Sequence, residues 1–478
     1  MSAPAEALLA RVRELEEEVE RLKAQLREKS AGGAEERTGA SPDPVLPDVK
    51  SQENGGSRKK GKKERAFDFS AHPRRHVAVR LAYLGWNYQG FAVQENTDNT
   101  VEARLFEALL KTRLIQDRQS SNYHRCGRTD KGVSAFSQVI SLDLRSCQYS
   151  GLGVMVPDGV EPKGSPPAAE LPYVKILNRV LPTDIRVLCW APVPAGFSAR
   201  FDCRHRTYRY YFPRGDLDVE LMAAAAKRYE GTHDFRNLCK MDVGNGVLQF
   251  QRTILSATVQ PAQPCHASSN TEPQPLYMFE VKGLAFLYHQ VRCMMAVLIL
   301  IGQKLESPEI IDKLVDVENN PRKPQYSMAV DYPLVLYECH FEDLSWNKET
   351  EEESHVLSSL QQHWTQTAVK AQVLHGMIQG LQNSVTDKSS SPVDCWLMEG
   401  SRQRNYRPLL ERPLCESLES RIQHFVKRGR LERDESGEET TVFRGKRSKH
   451  LHHVPSTEQQ QEEDLSMEPA LETLDGSP

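Results

Sequence analysis

Cys126-Gly127-Arg128-Thr129-Asp130-Lys131-Gly132-Val133-Ser134-Ala135 holds one carboxylate between two glycines, immediately ahead of a strand-like run from Phe136 to Leu144. Gly127 and Gly132 let the backbone turn sharply and approach a ligand closely. In the run that follows, Ser137, Val139, Ser141 and Asp143 alternate with Phe136, Ile140, Leu142 and Leu144 in the manner of a half-buried strand. Asp130 is therefore expected on a loop held by a sheet. Two roles are open to it: a turn aspartate bonding its own backbone, or a carboxylate kept for chemistry.

Outward from that stretch the patterns are mixed. His76 to Tyr83 alternates like a strand, and Val101, Leu105, Ala108 and Leu109 line one helical face behind an N-cap at Thr100. Leu221 to Tyr229 reads as a helix, Arg252 to Gln260 and Tyr277 to Val281 as strands, and Phe286 to Leu305 as a long buried helix. Ser307-Pro308-Glu309 reads as the capped start of another helix with Pro at its first position. Gly151 to Pro172 is rich in Gly and Pro and longer than most internal connections, so an exposed loop is expected. Strands and helices without strict alternation indicate an α+β fold.

The flanks have a different character. Leu8, Val12, Leu15, Val19, Leu22 and Leu26 form a heptad seam, either a parallel two-stranded coil or a solvated amphipathic helix. We divide the chain into a short coiled coil at 1–30, a disordered linker at 31–72, one large folded region at 73–345, a partly helical C-terminal extension at 346–435 and a disordered acidic tail at 436–478. Ser57 to Arg65 is basic, a nuclear-import signal or a solvated tail, whereas Ser456 to Pro478 carries seven acidic residues and no Lys or Arg. Basic clusters between Tyr406 and Arg430 either add nucleic-acid contacts or pack on the surface.

The net charge of −4 argues neither for nor against nucleic acid. Ten cysteines without a Cys-x-x-Cys support neither a zinc ribbon nor a redox pair, and no secretory signal is recognisable, so free thiols in a reducing compartment are expected. The longest apolar run, near 293–301, is too short to span a bilayer. His289 and Cys293, four apart on a helix, are a weak metal pair, so no metal is expected. Dinucleotide and phosphate-loop patterns are missing, which leaves no cofactor to expect.

The run Gly127-Arg128-Thr129-Asp130-Lys131-Gly132-Val133-Ser134-Ala135 resembles the signature of the TruA-type pseudouridine synthases. Other segments agree in that family's order: Ala82 to Gln94, Thr100 to Leu110, Asn178 to Ile185, Phe197 to Tyr210, Gly231 to Asn237, Arg252 to Ile254 and Phe286 to Leu300. The resemblance covers about residues 76 to 340, and several motifs in order are far more specific than one. Lys175 to Arg186 and His233 to Asp242 are most similar to the eukaryotic branch that modifies positions 38 and 39 of tRNA, in the anticodon arm.

The resemblance implies two lobes of largely antiparallel sheet with helices outside and a cleft between them, making 73–345 the catalytic region. It implies Asp130 as the catalytic carboxylate, nucleophile or base, and Arg292 as the cation that keeps it charged. A helix arginine on the surface is the alternative for Arg292, but its apolar neighbours make an unpaired charge costly. Tyr208 matches the tyrosine that stacks on the flipped base, and Arg128 the residue that fills the vacated space; a core tyrosine and a phosphate contact are the plain alternatives. Arg200, Arg204, His205, Arg206 and Arg209, interleaved with Phe201 and Tyr208, suit phosphate contacts beside a stacking platform, or a charged strand face. The expected partners are tRNA and a second subunit, since the family commonly pairs two subunits around tRNA, with no membrane and no metal. The expected location is the nucleus, also the cytoplasm.

Two positions depart from the family. Pro333-Leu334-Val335-Leu336 replaces Gly-Leu-x-Leu, and Ser134 stands where many relatives have His. The rival readings are a non-catalytic RNA-binding or tRNA-folding protein on the same scaffold, and a coiled-coil interaction protein. A pure binder needs cations and aromatics but no nucleophile, so the joint presence of Asp130, Tyr208, Arg128 and Arg292 argues for catalysis.

Overall fold

In the computed structural model the described residues are Arg21, 67–162, 169–262, 275–382, 397–399, 405–428, 431–433 and 441–443. The chain divides into two compact units, Met1–Arg65 and Ala66–Pro478, and apart from Arg21 all described residues belong to the second. The expected coil, the basic run and the acidic tail lie outside the described residues, as does the linker up to residue 66. Residues 67–72, assigned to the linker from sequence, are ordered here: the guanidinium groups of Arg113 and Arg145 lie 5.8 and 5.3 Å from the centre of the Phe67 ring.

Apart from a separate hairpin in which Leu431–Arg433 pairs with Thr441–Phe443, the strands are β1 (Arg74–Tyr83), β2 (His124–Arg125), β3 (Ser134–Arg145), β4 (Val154–Met155), β5 (Ile185–Pro192), β6 (His205–Pro213), β7 (Gly231–Asp234), β8 (Gln251–Pro261), β9 (Leu276–Gly283) and β10 (Leu334–His340). They form one sheet in the order β4-β1-β3-β10-β6-β9-β8-β7, with β5 beside β1 and β2 beside β3. Every pairing is antiparallel except β10 with β3, which run parallel through Val335–Ser134 and Leu336–Ala135. The helices are α1 (Val101–Lys111), α2 (Tyr173–Asn178), α3 (Val219–Ala226), α4 (Gln290–Gly302), α5 (Ile310–Val315), α6 (Thr350–Gln382) and α7 (Leu418–Lys427).

The sheet carries two hydrophobic cores. One gathers Val79, Leu105, Ile140, Val187 and Trp190; the other gathers Phe212, Tyr229, Phe279 and most of α4. The two implied lobes are thus halves of one continuous α+β sheet, joined where β3 meets β10. The Asp130 loop ends at that seam, because Ser134 and Ala135 are both the first residues of β3 and its contact with β10.

Several expectations are corrected. β3 is buried on both faces rather than half-buried; only Phe136 is well exposed. Ser141 and Asp143 find partners instead of water: Ser141 Oγ accepts from the Ala199 N–H at 3.0 Å, and Asp143 meets His76 Nδ1 at 2.5 Å, while the buried Ser137 hydroxyl has none. The helix expected from Phe286 begins only at Gln290, because His289 sits at φ +62° and Gln290 Oε1 accepts the Leu287 N–H at 2.8 Å, closing a turn before the helix. α5 starts at Ile310 without a side-chain cap, so Pro308 belongs to the preceding turn rather than to the first helical position. The 151–172 insertion is not wholly a loop: β4 pairs with β1 there, and Gly153, at φ +72°, packs so closely that a Cβ would meet the Val193 carbonyl at 2.3 Å.

The C-terminal extension packs on the sheet rather than trailing from it. Leu397 and Leu409 are buried in the second core, and residues 397–399 bridge to 328–330 through Val330 N–H to Leu397 O and Glu399 N–H to Met328 O, both 2.8 Å. Thr100 caps α1 as expected, accepting the Ala103 N–H at 3.2 Å.

Candidate active site

The loop from Cys126 to Val133 is held along its whole length. Gln138, fully buried on β3, accepts the Gly127 N–H at 3.2 Å and donates to the Gly127 carbonyl at 3.0 Å. The Thr129 hydroxyl lies 2.7 Å from the Tyr83 hydroxyl, and its carbonyl accepts the Phe91 N–H at 3.0 Å. Gly132, at φ +76°, donates to the Tyr88 carbonyl, and a Cβ there would lie 2.7 Å from the Asp331 carboxyl carbon. Any other residue at 132 would be strained and would push Asp331 aside. Asp130 accepts the Val133 N–H through its carbonyl, so the turn is made by backbone and does not occupy the carboxylate.

That carboxylate is mostly buried. Burial pushes its pKa up to about 6; Arg292 and Lys240 pull it down, and Asp331 pushes it up. His289 Nε2 stands 3.6 Å from Asp130 Oδ2. Burial, with Arg292, Lys240 and Lys323 nearby, pushes the His289 pKa down to about 3, so the imidazole is neutral at pH 7. A buried carboxylate faced by a neutral ring and by two cations is a charge held in reserve.

Arg292 is buried on the first turn of α4. It acts on Asp130 through space, while its hydrogen bonds go to the Ala329 carbonyl, 2.8 Å from Nε, and to the Glu399 carboxylate. The expected cation is therefore beside Asp130, but a second carboxylate from the C-terminal extension shares it.

Tyr208, on β6, is partly buried and packs against both cores, with Phe286 edge-on at 5.0 Å between ring centres. Burial raises its pKa, so it stays a neutral phenol. Arg128 is exposed on the loop two residues before Asp130.

The basic cluster does not form one patch. Arg204 is exposed and pairs with Glu342 at 2.8 Å. Arg206 donates to three carbonyls, Leu284 at 2.6 Å, Cys126 at 3.0 Å and Arg200 at 3.1 Å, so it ties the base of the Asp130 loop to two neighbouring segments. Arg209, on the opposite strand face by alternation, pairs with Glu280 at 2.6 Å and lies over Tyr337. The Arg200 guanidinium lies over the exposed Phe201 ring, 5.1 Å from its centre.

Sequence reading missed Lys240, Asp331 and Glu399, and weighed His289 only as half of a weak metal pair, without expecting a metal. Lys240 lies in the His233–Asp242 segment quoted above; its N–H donates to the Tyr288 carbonyl at 2.9 Å and its Nζ is 5.5 Å from the centre of the Tyr288 ring. The departures are mild. Ser134 Oγ accepts the Gly85 N–H at 2.9 Å, and Pro333 precedes β10 without breaking its pairing.

Residues 225–342 match the family model described as tRNA pseudouridine synthase. The chain is 53% identical over 453 residues to the tRNA pseudouridine(38/39) synthase of Homo sapiens, covering 89% of each chain. The chain belongs to the tRNA pseudouridine synthase family. The tRNA pseudouridine(38/39) synthase of Saccharomyces cerevisiae is 44% identical over 306 residues, 63% of this chain and 65% of that one. tRNA pseudouridine synthase A of Thermococcus onnurineus is 30% identical over 270 residues, 56% of this chain and 86% of that one. As a tRNA pseudouridine synthase, the chain is an isomerase, and the reading of a non-catalytic binder is not favoured. The reaction breaks the bond from N1 to C1′ of uridine, turns the base and joins C5 to C1′. No helix among the described residues is long and apolar enough to cross a membrane.

Proposed function

We propose that this synthase acts on uridines 38 and 39 of the tRNA anticodon arm, with Asp130 as the nucleophile. The positions come from the names of the relatives above; the observation that carries the role of Asp130 is its carboxylate, turned from a pinned loop toward Arg292, Lys240 and a neutral His289. At pH 7 a group of pKa about 6 is mostly ionised, and a partly desolvated carboxylate is a stronger nucleophile than a solvated one. Tyr208 stacks on the flipped base, Arg128 fills the gap in the stem, and Arg200 and Arg204 hold phosphates. Arg206 supports the site by fixing the loop.

We read the active form as a homodimer in the nucleus. The basic run Ser57 to Arg65 is the motive for the location. The motive for the dimer is α6, whose Leu357, Trp364, Leu374, Ile378 and Leu381 are exposed and fall on one seam with steps of seven, ten, four and three. The test is to incubate the purified chain with unmodified tRNAs bearing uridine at 38, at 39 or at neither, and to map pseudouridine. Product confined to 38 and 39 is expected; product elsewhere on the arm overturns the assignment of positions.

A further inference from the structure

At the base of the Asp130 loop, the thiols of Cys126, Cys203 and Cys339 all lie within 4.8 Å of one another. Among the described residues this is the one cluster of three or more His, Cys, Asp or Glu side chains with such spacing. The three come from distant parts of the chain: the residue after β2, the loop before β6, and β10. All are buried, with exposures of 4%, 8% and 1%, and all are reduced. Arg206, hydrogen-bonded to the Cys126 carbonyl, interacts electrostatically with all three sulfurs. A guanidinium beside three thiols offsets part of the charge that they would carry as thiolates.

We propose that Cys126, Cys203 and Cys339 form a three-thiolate site for a soft thiophilic metal ion of the Cu(I) class. Thiolates select soft ions, and a structural zinc site takes four ligands where this group supplies three. The three cysteines belong to the core that also holds Leu336 and Ala199; the His205 carbonyl, which accepts from Cys203 Sγ at 3.3 Å, falls far short of the about six oxygens that a hard cation needs. Binding releases the thiol protons and links the base of the catalytic loop to β10 and to the loop before β6. Access runs through that last loop, where Phe201, Asp202 and Arg204 around Cys203 are exposed.

The test uses the full chain, reduced, stripped of metal and titrated with Cu(I) buffered by a competing chelator. Cys265 and Cys395 are replaced by Ser throughout, so that thiols outside the described residues do not contribute. One ion per chain is expected, with a rise in Tm on saturation. Cys203→Ser should weaken binding by more than roughly tenfold, while Cys147→Ser and Cys415→Ser, outside the cluster, should leave it unchanged. X-ray absorption of the loaded parent chain should show sulfur neighbours alone, a readout that needs no cluster variant to fold. Absence of binding, binding that survives Cys203→Ser, nitrogen or oxygen neighbours at the ion, or tighter binding of Zn(II) than of Cu(I) would each overturn the proposal.

Discussion

His289 Nε2 lies 3.6 Å from Asp130 Oδ2, and the imidazole that meets the carboxylate there is neutral. The carboxylate thus owes its ionisation to Arg292 and Lys240, against burial and Asp331. Since burial pushes the Asp130 pKa up to about 6, kcat/KM should fall by roughly tenfold per pH unit below that value, as expected for one essential ionised group in the free enzyme. A profile flat down to pH 4.5, measured on tRNA shown to stay folded, would contradict an ionised Asp130 of this pKa.

The same shift costs stability. The folded carboxyl has a pKa of about 6 against a reference of 3.8, so between those values the folded chain holds a proton that the unfolded chain has lost. Stability therefore falls as pH rises through that window, and the penalty is complete above about pH 6. At about 1.4 kcal/mol per unit it amounts to about 3 kcal/mol. Asp130→Asn should accordingly melt higher than the parent chain at pH 8 and close to it at pH 4. Equal melting at both pH values would show that the carboxylate is not held at a cost.

Arg292 serves two carboxylates, so losing the arginine and losing Glu399 have different effects. Arg292→Met should lower turnover at pH 7 by roughly a hundredfold or more, because it removes a preorganised charge beside the nucleophile. Glu399→Gln leaves the arginine to Asp130 alone, and should move the acid limb of the pH profile down by about half a unit with turnover at pH 7 kept within about twofold. An acid limb that moves up in Glu399→Gln would mean that Glu399 orients Arg292 rather than competing for it.

Much of the fold was legible because apolar periodicity survives in the elements that bury one face. Thr100 and α1 appear where the cap and the spacing of Val101, Leu105, Ala108 and Leu109 put them, and α6 supplies helix in the extension expected to be partly helical. β3 was misjudged because Ser141 and Asp143 meet polar partners inside the protein, and alternation alone cannot tell a polar partner from water. Arg206 and Arg209 are near neighbours in sequence, yet β6 sends them to opposite faces, one to carbonyls and one to Glu280. Lys240, Asp331 and Glu399 converge on Asp130 and Arg292 from loops far apart in the chain, and Cys126, Cys203 and Cys339 converge in the same way. Such convergence is set by the pairing of β3 with β10, which no local pattern announces.

The exposed seam of α6 predicts a self-contact. Leu374→Glu with Ile378→Glu should shift the full chain from dimer to monomer in sedimentation at micromolar concentration, since two buried charges per helix outweigh a short apolar interface. Dimers that persist in this variant would place the interface elsewhere.

The nucleophile is the centre of the account, and product formation by Asp130→Asn in single turnover tests it most directly. The variant should bind unmodified tRNA within a few fold of the parent chain, because it removes charge but little volume, while pseudouridine at 38 and 39 stays undetectable over times that give the parent chain full conversion. Measurable pseudouridine from a preparation free of parent enzyme would contradict the role of Asp130.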